Sequence, residues 1–348
     1  MLSFYPGPSK VHPEALGYIQ EAFDQGIVSI NHRSERFEKL LEDTFDVLHK
    51  KWNIPADYTI YFVSSATEAW EIVTQSLVRK KSTHLYNGAF GKKWANYAKA
   101  VAESFEFTLD QSLAEVGQQL GPIAGDTLCL VQSETSNGTG QQIRRADFQL
   151  ADDAIIAVDA TSSMGGIELP WNEADVWLAS VQKCIGIPAG MGIFICSPKA
   201  LARARELNRA THYNDVLFLE ENRQVFQTQM TPNVLSIYLV YRLTQQLPML
   251  SEVHRTTLAK MKLWTDFWDN ETEFSYLIEN PALRLPTVLA LKGAPEKIKQ
   301  LHQICLIKEI ELGKGYGKWK ENSFRIANFP SHTIEDIETL IQTIKYEL

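Results

Sequence analysis

The chain has few cysteines, no long apolar run and no excess of basic residues, and each absence removes a class of protein. Four cysteines, Cys129, Cys184, Cys196 and Cys305, lie far apart in 348 residues with no Cys-x-x-Cys pair. Neither a zinc site, nor any other metal site, nor a disulfide framework is therefore indicated. Three of the four sit in or beside apolar runs and read as buried thiols. Cys184 follows a candidate catalytic lysine, which sets sulfur transfer beside core packing as its role. No stretch reaches the run of about eighteen apolar residues that spans a bilayer. The start, Met1-Leu-Ser-Phe-Tyr-Pro-Gly-Pro8, lacks the basic opening and apolar centre of a secretion signal. A cytoplasmic protein with no membrane partner is the expectation. A formal net charge of −8 also speaks against nucleic acid, which needs clustered Lys and Arg.

What is present has the composition of a globular enzyme, 45% hydrophobic and 22% charged. Runs rich in β-formers at 58–63, 127–131, 154–158, 176–181 and 192–196 alternate with segments of helical period at 66–78, 92–102 and 198–208. That alternation predicts an α/β fold with a mostly parallel central sheet between helices. The pattern changes near residue 247. A long amphipathic segment at 250–269 precedes expected strands at 284–291, 305–312 and 323–328 and helices at 295–303 and 333–346. The expected organisation is an extended, proline-rich segment over 1–15 draped on a large domain, that domain over 16–247, and a small α+β domain over 248–348.

Chemistry is suggested first by two apolar runs that end in charge. One closes on Asp159 and the other runs into Gln182-Lys183. On neighbouring parallel strands both would open onto the sheet edge where α/β proteins bind ligands. A carboxylate and an amine sharing a pocket suit pyridoxal phosphate, whose aldehyde takes a lysine and whose ring nitrogen takes an acid. The competing reading makes Asp159 a turn cap and Lys183 a solvated residue. Ser64-Ser-Ala-Thr67 opens a helical pattern and could cradle a phosphate on free N–H groups, or be an ordinary cap. Trp94, at the start of the next helical pattern, could stack on the pyridine ring, or be core. Thr135, after another expected strand, could bond the ring's phenolic oxygen, while Asn137-Gly138 beside it equally fits a turn.

Segments 64–71, 87–94, 134–143 and 159–166, together with Gln182-Lys183 and Phe324-Arg-Ile326, resemble in order and spacing the class V, fold type I aminotransferases. The resemblance runs end to end, with Gly7-Pro8, Asn31-His-Arg33 and Phe37 adding to it, and points to the branch of phosphoserine and alanine-glyoxylate or serine-pyruvate aminotransferases. It implies a PLP-transferase fold, pyridoxal 5'-phosphate as cofactor, Lys183 as Schiff-base lysine and catalytic base, and Asp159 as ring-nitrogen partner. It further implies Trp94 as stacking aromatic, Thr135 at the ring oxygen, and Ala66, Thr67 and Gln182 at the phosphate. Thr231 would reach that phosphate from a neighbouring subunit, making the protein a homodimer with shared active sites. Met230 departs from the family's asparagine there, with Gln229 a substitute. Arg325 would grip the substrate α-carboxylate, a surface ion pair being the other reading, and Arg33 with His32 would hold a substrate phosphate. Thr67 stands where phosphoserine enzymes commonly place arginine, and Lys318-Trp319-Lys320 replaces a His-Arg pair.

The expected activity is transamination of a small amino acid, leaning to phosphoserine with glutamate and 2-oxoglutarate in serine biosynthesis. Alanine or serine with glyoxylate or pyruvate is the alternative. Cysteine desulfurases, kynureninase-like lyases and a non-catalytic binding protein share the fold and remain as more distant readings.

Overall fold

The computed structural model describes residues 1–108, 111–209 and 213–347; Leu348, the last residue of the expected small domain, lies outside them. Among these residues the strands are β1 (Leu2–Phe4), β2 (Thr59–Val63), β3 (Lys81–Tyr86), β4 (Glu103–Thr108), β5 (Thr127–Val131), β6 (Ser133–Glu134) and β7 (Thr139–Gly140). They continue as β8 (Ile155–Asp159), β9 (Val176–Ser180), β10 (Gly192–Cys196), β11 (Phe274–Tyr276), β12 (Val288–Gly293), β13 (Ile310–Lys314) and β14 (Ser323–Ala327). The helices are α1 (Ala15–Asp24), α2 (Glu35–Trp52), α3 (Ala66–Leu77), α4 (Ala89–Lys99), α5 (Leu113–Leu120) and α6 (Pro198–Leu207). After these come α7 (Val216–Arg223), α8 (Val234–Gln246), α9 (Leu250–Trp268), α10 (Pro295–Ile307) and α11 (Ile334–Glu347). None is long and apolar enough to cross a membrane.

The large sheet has seven strands in the order β2-β10-β9-β8-β5-β3-β4. All neighbours are parallel except β10, which runs antiparallel to both β2 and β9. Its central strands β5, β8, β9 and β10 are buried at every residue, because helices cover both faces and no position is left for water. Alternate side chains accordingly feed two cores. Ile156, Val158, Trp177 and Ala179 pack with α2 and α8 on one face, while Ile155, Ala157, Val176 and Leu178 pack with α3 on the other. Full burial of one such isoleucine is worth about 1.5–3 kcal/mol.

A second sheet, β1-β13-β14-β12-β11, carries its own core of Phe4, Trp264, Leu291, Phe324 and Leu340. Two sequence expectations change here. The N-terminal segment does not simply drape over the large domain: β1 pairs in parallel with β13, Leu2 opposite Ile310. The run 305–312 is not one strand, because α10 continues to Ile307 and Glu309 turns the chain at φ 58° before β13 begins. Strands β3 and β4, unread in the sequence, complete the far edge of the large sheet.

Candidate active site

Strands β8 and β9 are parallel neighbours, with Asp159 opposite Leu178. Asp159 is the last residue of β8, and Lys183 follows the end of β9 at Ser180 by three residues. Both therefore emerge at the carboxyl edge of the sheet, as does the loop after β5 that carries Thr135. They line a cavity of about 180 Å³ together with Ala66, Thr67 and Gln182. A larger cavity of about 550 Å³ lies elsewhere, between Arg144 and Arg284, and touches neither Asp159 nor Lys183.

Asp159 is 3% exposed. Its Oδ2 accepts from Trp70 Nε1 at 2.8 Å and its Oδ1 from the Thr161 N–H at 2.8 Å. Burial pushes its carboxyl above the usual range, against the pull of those donors and of Lys183. Lys183, 6% exposed, donates to Thr135 Oγ1 at 2.6 Å and Ser162 Oγ at 3.4 Å. Burial lowers its amine to about 8; Asp159 works against that shift and Arg325 with it. Gly7, at φ +148°, walls the lysine in, and a Cβ there would come within 2.9 Å of Lys183 Cε.

The amino end of α3 opens on the same cavity. Ser65 caps it, accepting from Glu68 N–H at 3.1 Å, and Ser180 Oγ accepts from Ala66 N–H at 2.9 Å. The helix dipole points its positive end at this corner, a seat for a phosphate. An acid at one wall, an amine at another and a helix start at a third match the ring nitrogen, aldehyde and phosphate of pyridoxal phosphate. The donor set fits that group.

The aromatic wall corrects one expectation. Trp94 is 1% exposed, stacks on Trp70 with ring centroids 6.0 Å apart, and does not line the cavity. Phe90 does, with Lys183 Nζ 5.0 Å from its ring centroid. The reason is that α4 starts at Ala89 rather than at 92, so the first-turn aromatic is Phe90, one helical turn before Trp94. Glu134 holds that start in place: its buried carboxylate accepts from Phe90 N–H at 3.4 Å and Gly91 N–H at 3.1 Å. No local cap in the sequence announces it, since Gly88 occupies the cap position.

Arg325 is 4% exposed on β14. Its Nε donates to Lys314 O and its Nη1 to Thr135 O, each at 2.9 Å. Thr135 thus joins Lys183 through its hydroxyl to Arg325 through its carbonyl. Arg325 reaches the cavity only through Thr135 and is not among its lining residues, and Arg33, His32 and Thr231 do not line it either; Arg33 is exposed and donates to Gln227 Oε1 at 2.7 Å, and Thr231 is also exposed. Sequence reasoning passed over Trp70, Ser162 and Ser180. Only Trp70 carried a signal, lying four residues after Ala66 on the same helix face.

The sequence model of the family "Aminotransferase class-V" matches residues 2–316. The phosphoserine aminotransferase of Rhodococcus opacus (strain B4) is 28% identical over 360 residues, covering 98% of this chain and 93% of the relative. A crystal structure of a phosphoserine aminotransferase from Cytophaga hutchinsonii superposes with a TM-score of 0.90 at 30% identity, over 100% of this chain and 99% of the other. An alanine-glyoxylate aminotransferase from Nostoc sp. superposes at 0.81 with 20% identity, over 99% and 95%. The chain belongs to the class V aminotransferases. It is a pyridoxal-phosphate-dependent aminotransferase of fold type I.

Proposed function

We propose that the enzyme transaminates phosphoserine, with glutamate and 2-oxoglutarate as the second pair, and works as a cytoplasmic homodimer. The observation that carries this reading is the end-to-end likeness to the Rhodococcus and Cytophaga phosphoserine enzymes. When bound, pyridoxal phosphate supplies an aldehyde for the substrate amine and an electron sink for the charge left at Cα.

Lys183 is the base in this proposal. Its amine, brought down to about 8 by burial, is suited to take and return a proton near neutral pH. Thr135 and Ser162 aim it. Asp159, seated between Trp70 and Thr161, keeps a proton on the ring nitrogen. Ala66, Thr67 and Gln182 hold the cofactor phosphate, and Phe90 takes the stacking role expected of Trp94. Arg325 receives the α-carboxylate; with Nε and Nη1 already engaged, its Nη2 has no partner among the described residues, and a guanidinium suits a carboxylate better than an ammonium does. Arg33, His32 and Thr231, away from the cavity of their own chain, would serve a neighbouring subunit's site. Unpaired, buried cysteines accord with a reducing compartment.

A small amino acid with glyoxylate or pyruvate is the second reading, favoured by Thr67 in place of arginine and by Phe90-Gly91. Adding phosphoserine, serine, alanine and glutamate singly to the yellow holoenzyme tests both. Phosphoserine and glutamate should bleach the visible absorbance fastest; fast bleaching by alanine and none by phosphoserine would move the assignment. Sedimentation checks the dimer, and a monomer with full turnover would end the shared-site proposal.

A further inference from the structure

Phe90 and Arg325 sit on different sheets' territory, and one side chain spans them. Tyr316, in the tip between β13 and β14, stacks on Phe90 with centroids 5.4 Å apart and planes at 28°. The Arg325 guanidinium carbon lies 5.4 Å from the centroid of the same Tyr316 ring. Beyond Phe90 comes Lys183, 5.0 Å from that ring. A cation, two rings and a second cation thus succeed one another from β14 to the lysine loop. The tip that carries Tyr316 is closed on itself. Ser323 Oγ donates to Trp319 O at 2.6 Å, and a Cβ on Gly315 would fall 2.3 Å from Trp319 O. Glycine alone fits at 315, so Tyr316 is presented at a defined point although its side is 40% exposed.

We propose that Tyr316 is a positioning residue, orienting Arg325 for the α-carboxylate and backing Phe90 as the wall of the cofactor seat. This rests on the reading of Arg325 as the carboxylate grip. The Lys314 and Thr135 carbonyls hold Nε and Nη1, and so the guanidinium, along one edge. The Tyr316 ring beside the guanidinium carbon keeps the group from swinging off those carbonyls, and so preserves the direction of Nη2. The same ring packs on Phe90, so the aromatic wall keeps its place while substrates exchange. Amino donor and keto acceptor share only the α-carboxylate end, and loss of Tyr316 therefore weakens both alike. A residue that touched the variable side chain would weaken one.

The test uses holoenzyme carrying Tyr316→Ala, Tyr316→Leu or Tyr316→Phe, with KM measured for donor and acceptor and visible circular dichroism of the bound cofactor recorded without substrate. Losing the ring contacts should raise both KM values about tenfold, with kcat much less affected, and should alter the dichroic band. Leucine, which keeps bulk without a π face, should behave as alanine does and guards against a misfolded alanine variant. Phenylalanine should restore the wild-type values. Unchanged KM values in the alanine and leucine variants, or a phenylalanine variant as impaired as alanine, would overturn the proposal. An unchanged dichroic band would overturn its Phe90 half. Arg325→Lys is measured alongside: if it leaves KM unaltered, the failure lies in the carboxylate assignment rather than in Tyr316.

Discussion

Two lysines of this chain are buried to similar depth and brought by desolvation to the same value, about 8, yet only one is built to react. Lys260, on α9, donates to Phe329 O at 2.8 Å and His332 O at 2.9 Å. Its amine is engaged in closing the turn after β14 and does not line the cavity that holds Lys183. Lys183 instead meets two hydroxyls, which can accept or donate, and looks across open space toward Asp159. A lowered lysine pKa is therefore not by itself a signature of catalysis. The free approach to the amine and the acid across the cavity make the difference.

Removing each lysine should separate the two roles. Lys183→Ala should cut turnover by about 10²–10⁴-fold or more and abolish the holoenzyme's imine absorbance band; normal transamination by that variant would collapse the comparison. Asp159→Ala should retain cofactor colour but lose about 10²–10³-fold in kcat, the cost of one electrostatic partner for developing charge. Arg325→Lys should raise KM for donor and acceptor about 10–100-fold, as loss of a charge-assisted hydrogen bond does. Lys260→Met should leave turnover nearly unchanged while lowering stability by about 1–3 kcal/mol, since it orphans the His332 carbonyl and leaves Phe329 O only its bond from the His332 N–H; a large loss of kcat would show that Lys260 does more than brace.

A further effect is in pH. Lys260 has a folded-state pKa of about 8, below its ordinary 10.5, so burying it charged penalises folding below pH 8. From about pH 8 to 10.5 the unfolded chain binds more protons, and stability rises with pH. Denaturant unfolding of the wild type should show that rise more steeply than Lys260→Met. Equal slopes would mean the amine is not titrating in this window.

Much of the fold was readable because burial on both faces writes itself as apolar runs: β5 and β10 lie where their sequences place them. Strand β3 was not, because Ser82, Thr83 and His84 are buried through side-chain hydrogen bonds, Ser82 to Ser104 at 2.8 Å and to His84 at 3.1 Å. Satisfied polar groups can fill a core without looking like one. The 305–312 run failed in the opposite sense. Leu306 and Ile307 are 61% and 79% exposed, so apolar character there did not mean a buried strand. At the site, Asp159 and Lys183 could be read since one ends β8 and the other closely follows β9. Phe90 could not, because the cap that starts α4 comes from Glu134, far along the chain, and a helix boundary moved by three residues exchanges one aromatic for another.

The strap at the amino end has a bearing on how this molecule comes together. Leu2 to Phe4 find their partners only at residues 310–312, and between them and the lysine loop the Ser9 N–H donates to Gln182 O at 3.1 Å and the His12 N–H to Gly186 O at 2.7 Å. In folding, residues 2–4 must meet residues 310–312, far along the chain, before their strand pairing exists. Such a distant closure is slow, and the Gly7 wall of the coenzyme chamber is then among the last parts to be finished. The large sheet can be assembled, and its chamber approached from that side, before the door is hung.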